Sequence, residues 1–380
     1  MATKIKVVIG QNFGDEGKGQ VTDYFAHESY LNKENCIVVL SNGGSQRGHT
    51  VTAPLGQRHI FHHFGSGTFE LAHTYIPECF IINPMNFVME YKELIKNKVT
   101  PYVFINPNCK LTTPYDMIAN QIIEENRGDN RHGSCGIGIW ETILRNGITF
   151  GEMARKNDSE KAQYLHFIRD GYFTNRISNK GIKPDNKWNK IIYSDGLIEH
   201  YIKDLNMMCS IISYASNDIL KNYKSIIFEN GQGLLLDQNI SGYGKNTTPS
   251  NTGLQNPAKI IKEIHDVDVE VCYVTRTYMT RHGVGRFDTE CSPNIISSKV
   301  SNDFTNHTNE FQGSLRFGIL DWISAEKRAV KDFEKFGNPN WKISFFFTHV
   351  NECQLPVSYN SNNFRTYVSD GPTRINVKII

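Results

Sequence analysis

The sequence runs to 380 residues, with 41 Lys and Arg against 39 Asp and Glu and a formal net charge of +2. A chain of that length buries a sizeable core in one large or two ordinary domains, and 39% hydrophobic, 11% aromatic and 21% charged residues exclude a wholly disordered or collagenous chain. So small a charge excess gives no field with which to hold nucleic acid or a membrane surface, which leaves small molecules as the expected partners.

The first predicted element is a strand over Ile5 to Ile9, in the opening MATKIKVVIG, where a charged start runs straight into apolar β-branched residues. It leads through Gly10, Gly14, Gly17, Lys18 and Gly19 into a helix predicted over Lys18 to Leu31. Strand, glycine-rich turn and helix are how α/β proteins aim backbone N–H groups and a helix N-terminus at phosphate, with lysine as a point charge. The strict GxxxxGK[ST] pattern is not met, because Gly19 follows Lys18 and Asn12 stands where the first glycine belongs. What sets the loop apart is Gly14-Asp15-Glu16-Gly17-Lys18-Gly19. Two adjacent acids in a phosphate-type loop repel each other and the ligand, which calls for a metal ion or a proton-transfer task.

A second strand, Cys36 to Leu40, ends in Ser41-Asn42-Gly43-Gly44-Ser45-Gln46-Arg47-Gly48-His49-Thr50-Val51, a donor-rich turn that presents a histidine where nucleotide sites gather in open sheets. Further strands are predicted over Tyr102 to Ile105, Ser225 to Phe228, Val269 to Val274 and Ile343 to Phe347, and helices over Pro114 to Glu125, Leu197 to Asn222, Pro257 to His265 and Ile319 to Phe336. Their alternation predicts an α/β fold around a mainly parallel central sheet with flanking helices. The long interval around 110–220 predicts an inserted helical subdomain, and the polar stretch Lys156 to Lys190 is expected to form solvated helices and loops. Cys36, Cys79, Cys109, Cys135, Cys209, Cys272, Cys291 and Cys353 show neither CxxC nor zinc-type spacing and read as free thiols in a reducing compartment. No window reaches the roughly 18 apolar residues of a membrane span, so an intracellular location is expected.

The run GQNFGDEGKGQ followed by GGSQRGHTV resembles the adenylosuccinate synthetase family, whose members read close to GxQWGDEGKGK and GGxNAGHTV. Further matches are Phe64-Gly65-Ser66-Gly67, His132-Gly133-Ser134-Cys135-Gly136-Ile137-Gly138, Phe228-Glu229-Asn230-Gly231-Gln232-Gly233 with Leu235-Leu236-Asp237, and Thr247-Thr248-Pro249-Ser250-Asn251-Thr252. Thr280-Arg281-His282-Gly283-Val284-Gly285, Gly318-Ile319-Leu320-Asp321-Trp322 and Ser369-Asp370-Gly371-Pro372 complete the series. The resemblance implies one P-loop-related catalytic domain over 1–380, in the cytoplasm of a bacterial or phage-infected cell. It also implies a two-step ligation: a nucleoside triphosphate, ATP or GTP, phosphorylates the 6-oxygen of a purine nucleoside monophosphate, and the amine of L-aspartate then displaces the phosphate.

That chemistry gives the matched residues their implied roles. N1–H of the oxopurine must leave as O6 attacks, and Asp15 is the matching base. Lys18, the loop residues Gly14, Glu16, Gly17 and Gly19, His49 and Mg2+ would stabilise the transferring phosphoryl group, with Asp15 and the Gly48 carbonyl as implied metal ligands. Gln232 matches the side chain that holds the reacting base, and Ser134 and Thr248 lie where the family binds the 5′-phosphate. Gln20, Asn42, Thr50, Asn251, His349, Asn351, Ser369, Gly371 and Pro372 complete the implied nucleotide contacts. Structural alternatives stay open for two of these: Asn251, with Ser250, could cap a helix, and Gln232 could be a buried amide. Arg145, in Leu144-Arg145-Asn146-Gly147, aligns, with slightly different spacing, with an arginine that reaches the phosphate from a neighbouring subunit, which implies a homodimer with shared sites.

Three departures bear on the substrates. The family's guanine-reading TKxD is here Thr348-His349-Val350-Asn351, and an amide in place of the carboxylate suits adenine's donor and acceptor edge, favouring ATP. The aspartate loop, usually TTGRRRRxGWxD, is Asn309-Glu310-Phe311-Gln312-Gly313-Ser314-Leu315-Arg316-Phe317-Gly318-Ile319-Leu320-Asp321, with Arg316 alone retained. Fewer arginines weaken recognition of carboxylates and of a ribose 2′-hydroxyl, so a deoxyribonucleotide becomes easier to accept and aspartate falls to Thr305, Thr308, Ser314 and Arg316. The chain is also shorter than typical bacterial members. Together these features resemble the phage branch of the family, which joins aspartate to dGMP in making 2-aminoadenine DNA. Against it stands Asp15, which that branch often replaces by a smaller residue. The favoured expectation is therefore dGMP or GMP with ATP, the alternative is IMP with GTP, and a non-catalytic nucleotide sensor would have no need of both a base and an electrophilic histidine.

Overall fold

The computed structural model describes residues 2–128, 131–243, 246–300 and 314–380. Ten strands form one sheet: β1 (Thr3–Gly10), β2 (Cys36–Leu40), β3 (His73–Ile76), β4 (Val103–Ile105), β5 (Ser213–Tyr214), β6 (Ser225–Gly233), β7 (Val267–Arg276), β8 (Lys342–Thr348), β9 (Arg365–Ser369) and β10 (Val377–Ile379). They lie in the order β10-β9-β8-β7-β1-β6-β2-β3-β4-β5. Every pairing is parallel except that of β9 with β10. The mainly parallel sheet expected from the sequence is thus the observed one.

The central strands are largely apolar because both faces of the sheet are covered, and their charged side chains are paired, as Lys6 is with Glu270 at 2.7 Å. Ile5, Val7 and Ile9 of β1 join one buried cluster with Ile226, Phe228, Val271, Tyr273, Phe345 and Phe347, while Val8 joins another with Val38, Leu40, Ile227, Cys272 and Phe346. The second cluster is covered by α1 (Lys18–Leu31), α2 (Pro84–Lys96), α3 (Pro114–Arg127), against which α4 (Ile139–Arg145) packs, and α5 (Asp195–Ile211), and the first by α6 (Gln255–Ile261) and α7 (Trp322–Phe336). Each fully buried aliphatic side chain contributes about 1.5–3 kcal/mol, which makes this sheet the rigid frame of the molecule. No helix of the described residues is long and apolar enough to cross a membrane, and all eight cysteines are free.

Several expectations shift. The helix expected to reach Asn222 ends at Ile211, because Ser213 and Tyr214 pair with Phe104 and Ile105 and a short 3-10 turn takes Asn217–Asn222. Edge pairing there overrides local helix propensity. The helix expected from Ile319 starts at Trp322, where the Asp321 carboxylate accepts from the Ser324 N–H as an N-cap. The stretch 156–190 is more than solvated connection: its helices send Leu165, Ile168, Phe173, Ile177 and Trp188 into the core under α3 and α5.

Candidate active site

The glycine-rich turns leave the carboxyl ends of parallel strands, the edge at which open α/β sheets bind ligands. Around them lies a cavity of about 1350 Å³. It is lined by Gly14, Asp15, Glu16, Gly17, Lys18, Gly19 and Gln20 after β1, by Gly48, His49 and Thr50 after β2, and by Gln232 of β6. Ser134, Thr248, His349, Asn351, Gly371 and Pro372 line it as well.

In the first turn the two acids part company. Glu16 points inward: its Oε1 accepts from the N–H groups of Asn12 (2.9 Å) and Gly14 (3.0 Å), and its Oε2 lies 2.7 Å from Lys18 Nζ in a pair that is 2% exposed on both sides. Asp15, left-handed at φ 58°, keeps 29% of its side chain open to the cavity. The repulsion the sequence suggested is thereby relieved, with one acid neutralised inside the loop and one left for chemistry. Gly10 is required here, since a Cβ would come within 2.6 Å of the Gln232 carbonyl as well as meeting Glu16 Oε2 and Lys18 Nζ.

Gln232 reaches the cavity through an irregular pairing. Val8 faces Glu229 and Gly10 faces Gly233, so β6 carries extra residues across one step of β1, and Gln232 takes a left-handed φ of 58°. Asn42 braces this bulge from outside the cavity: its Oδ1 accepts from the Gly231 N–H at 2.7 Å and its Nδ2 donates to the Gly231 carbonyl at 3.2 Å. Gln232 is thus no buried structural amide.

His49 is held by a pair that the sequence analysis did not single out. Glu229 Oε1 lies 2.6 Å from His49 Nδ1, and Arg47 Nη2 lies 2.7 Å from Glu229 Oε2 with both side chains fully buried. The Ser66 N–H and hydroxyl also donate to Glu229. Burial and the Arg47 charge push the His49 imidazole down to about 4, against the pull of Glu229. The ring is therefore neutral near pH 7, with Nδ1 turned to both the Glu229 carboxylate and Arg47 Nη2, the latter 2.8 Å away. Burial works to raise Glu229, but Arg47, His49 and the Ser66 hydroxyl outweigh it and hold the carboxyl well below its ordinary value.

Asp15 touches His282, whose Nε2 is 3.1 Å from Asp15 Oδ2, and the Asp15 carbonyl accepts from Arg276 Nε at 2.6 Å. Burial alone would raise the Asp15 carboxyl; the His282 hydrogen bond and charge, with Arg276 and Lys18, hold it below the usual carboxylate value. Arg276 precedes the Thr280–Gly285 match already quoted and His282 lies within it, yet the sequence reading gave neither a role.

The C-terminal turns close the cavity. Gln20 Nε2 lies 2.8 Å from Ser369 Oγ, 2.7 Å from the Gly371 carbonyl and 2.8 Å from the Thr373 carbonyl, so Gln20 ties α1 to the loop after β9, with Ser369 behind the wall. Thr348 Oγ1 donates to the Glu16 carbonyl at 2.9 Å, which joins the β8 turn, with His349 at φ 62° and Asn351, to the first loop.

Other expected residues stand elsewhere. Arg145 is sealed within its own chain: Nε lies 2.8 Å from Asp116 Oδ1 and Nη2 donates to the Leu111 carbonyl at 2.6 Å, with the side chain 5% exposed. In this chain the guanidinium is thus held on Asp116 and Leu111, outside the cavity lining. Asn251 neither lines the cavity nor caps a helix; its Oδ1 accepts from Gln238 and Asn239, and α6 begins after Leu254 without a side-chain cap. Arg316 lies outside the cavity lining, paired with Glu290 and donating to the Gly283 and Gly285 carbonyls at 3.0 Å each. Ser314 is exposed outside that lining too, and Thr305 and Thr308 lie outside the described residues.

The donor set fits Mg2+. Glu16 is consumed, Asp15 is the loop carboxylate open to the cavity, and no group of three or more His, Cys, Asp or Glu among the described residues could hold a metal by itself. One carboxylate and a carbonyl, with the rest of the coordination from phosphate and water, is the manner of Mg2+ rather than of zinc.

The model of the family described as adenylosuccinate synthetase matches residues 7–335. The chain belongs to the adenylosuccinate synthetase family. Among curated relatives, the adenylosuccinate synthetase of Lactobacillus acidophilus is 29% identical over 74% of this chain and 64% of its own length. That of Mesoplasma florum is 30% identical over 86% of this chain and 73% of its own. The chain thus spans just under two thirds of the first of these relatives. Two solved structures share the fold. The fully ligated adenylosuccinate synthetase of Plasmodium falciparum superposes with a TM-score of 0.70 at 16% identity, covering 99% of both chains. The succinoaminodeoxyadenylate synthetase of cyanophage S-2L, bound to dGMP and dATP as an energy donor, gives 0.64 at 14% identity, covering 100% of this chain and 96% of that one.

Proposed function

We propose that this protein is a carbon–nitrogen ligase that condenses L-aspartate with C6 of a 6-oxopurine nucleotide through a 6-phosphoryl intermediate, with dGMP or GMP as acceptor and ATP as donor. The observation that carries the reading is that one cavity is lined by Asp15, Lys18, His49 and Gln232 together with the turn ending in Asn351. Asp15 takes the N1 proton as O6 attacks the terminal phosphorus of the donor, and the bond from that phosphorus to the bridging oxygen breaks. Lys18 and the loop amides hold the transferring charge. As anionic phosphate enters, His49 gains a proton that Glu229 stabilises, and its Nε2–H can then donate to the developing oxyanion. Aspartate's amine displaces phosphate from C6 in the second step. Mg2+, held by Asp15 and the Gly48 carbonyl, would neutralise charge on the donor phosphates.

Asn351 and Arg316 support the choice of substrates. An amide at the base-reading position suits adenine, and Arg316, the arginine retained in the drifted loop, is committed to Glu290 outside the cavity lining. The cyanophage enzyme, with its bound dGMP and dATP, is a precedent for the pairing. A second reading, IMP with GTP, draws support from the intact Asp15 and from relatives named adenylosuccinate synthetase. A homodimer in the cytoplasm belongs to the proposal, in which Arg145 would exchange its Asp116 partner for the neighbouring subunit's phosphate.

The test is a matrix of IMP, GMP or dGMP against ATP or GTP, with Mg2+ and aspartate and products read by mass. A succinylated dGMP formed with ATP is expected, and turnover of IMP alone would give the second reading its place. Asn351→Asp is expected to shift donor preference toward GTP by about 1–3 kcal/mol, roughly fivefold to 150-fold in the ratio of kcat/KM values, because a carboxylate accepts from guanine N1 and N2 and repels the adenine N1 lone pair. An unchanged ratio would remove Asn351 from base reading.

A further inference from the structure

His282 enters none of the steps above, yet it touches the group on which the first step turns. Its Nε2 lies 3.1 Å from Asp15 Oδ2, and the two side chains are 22% and 29% exposed, so both border the cavity. A carboxylate has two oxygens and two side-chain torsions, whereas a general base must bring one lone pair within about 2.6–3.2 Å of the proton it takes. A donor on Oδ2 decides which oxygen faces the substrate.

The segment carrying His282 is braced to do this. Arg281, 2% exposed, donates to the carbonyls of Arg286 at 2.6 Å, Asn246 at 3.1 Å and Val284 at 3.2 Å, and its guanidinium lies 4.3 Å from the centroid of the Phe13 ring. Arg316 closes the other side through the Gly283 and Gly285 carbonyls. Gly283 and Gly285 are left-handed at φ 74° and 114°, which lets both arginines reach the turn's carbonyls. The arginine retained in the drifted loop thus acts on the site through this turn, fixing where His282 stands. Asp15 is tied on its own side by Arg276 Nε to its carbonyl. Two independently anchored backbones therefore meet at the His282–Asp15 contact, which is how a site is held to the tolerance catalysis needs.

We propose that His282 is a positioning residue for Asp15: it donates from Nε2 to Oδ2 and so turns Oδ1 toward the purine edge. The proposal rests on the ligase reading with Asp15 as base. Its test is steady-state kinetics on the full chain, with the acceptor and donor pair that the matrix finds active, for His282→Ala, His282→Asn, Asp15→Asn and the double variant Asp15→Asn with His282→Ala. Loss of positioning is expected to lower kcat about tenfold to a hundredfold in His282→Ala, with KM for both nucleotides within about threefold. His282→Asn, which keeps a donor, recovers most of the loss. In the Asp15→Asn background His282→Ala costs nothing further, because the group it positions is gone. His282→Leu replaces the alanine variant if the smaller side chain costs the fold, as read by thermal melting. An unchanged kcat in His282→Ala, or losses that multiply in the double variant, overturns the proposal alone. Full turnover by Asp15→Asn overturns the base assignment and the proposal with it, so the two failures are told apart.

Discussion

Asp15→Asn lowers turnover by about a hundredfold to ten-thousandfold while nucleotide binding survives, if Asp15 is the base that the cavity geometry supports. Asparagine keeps the size of the side chain and can still accept from His282, so the loop stays in place, but an amide cannot take the N1 proton. Glu16 is no substitute. Its two oxygens are filled by the Asn12 and Gly14 N–H groups and by Lys18, and freeing it would strip a buried lysine of its partner. The pH dependence of the native enzyme follows from the same site. Asp15 is held below its ordinary value of 3.8 and His49 near 4, so in the free protein one stays ionised and the other neutral well below neutrality. Because His49 must gain a proton when phosphate enters, the profile of kcat/KM, corrected for the nucleotides' own phosphates, is expected to fall as pH rises from about 5 to 8, with no loss from Asp15 over that range. Binding measured by calorimetry with a non-hydrolysable donor separates the chemical role from a binding role. Unimpaired turnover in the variant would remove Asp15 from the first step.

What the sequence made legible, and what it did not, divides along the range of the interactions involved. β1, the first loop and α1 were legible because a near-continuous apolar run, a glycine-rich turn and a helix lie within thirty-one residues, and local chemistry decides each. β3, His73–Ile76, and β9, Arg365–Ser369, passed unnoticed because they are short and carry His, Thr, Arg or Ser where the pattern of a buried strand wants aliphatics. They are strands because neighbours offer a ladder, not because their residues ask for one. The same holds at the site. Asp15 and Glu16 are adjacent and look alike in sequence; their opposite fates depend on two amides and a lysine that only the folded loop brings together. Arg145 and Arg316 were assigned by position, but whether a guanidinium is free depends on a carboxylate elsewhere: Asp116 for the first, Glu290 for the second. Arg47 and Glu229 lie 182 residues apart and meet because β2 and β6 are neighbours. No spacing rule could have paired them.

That pair carries the other large effect. Glu229→Gln is expected to destabilise the protein by about 3–5 kcal/mol, since it removes one charge of a buried ion pair and strands the other. Arg47 is fully buried and its Nε already lacks a hydrogen-bond partner, so no solvent can take over from Glu229. The midpoint of urea denaturation falls with its slope unchanged, and turnover falls too, because His49 loses the carboxylate that orients Nδ1. Acid sensitivity changes in a defined direction. Glu229 has a depressed value, so its stabilisation is present above the ordinary 4.5 and is lost as pH falls through the folded value. His49 is depressed from 6.5 to about 4, so between those values the unfolded chain binds a proton that the folded chain refuses, and stability again declines as pH falls. In the variant the first component vanishes and the acid limb is shallower. Adding Arg47→Met to Glu229→Gln removes both charges and so leaves no unpaired charge buried, and the double variant is expected to regain most of the lost stability. It does not regain turnover, because a neutral amide cannot stabilise the imidazolium that His49 must become. If Glu229→Gln melts like the native protein, the pair is not the buried, charge-compensated unit its geometry describes. If the double variant recovers turnover as well as stability, Glu229 serves the fold and His49 is oriented by something else.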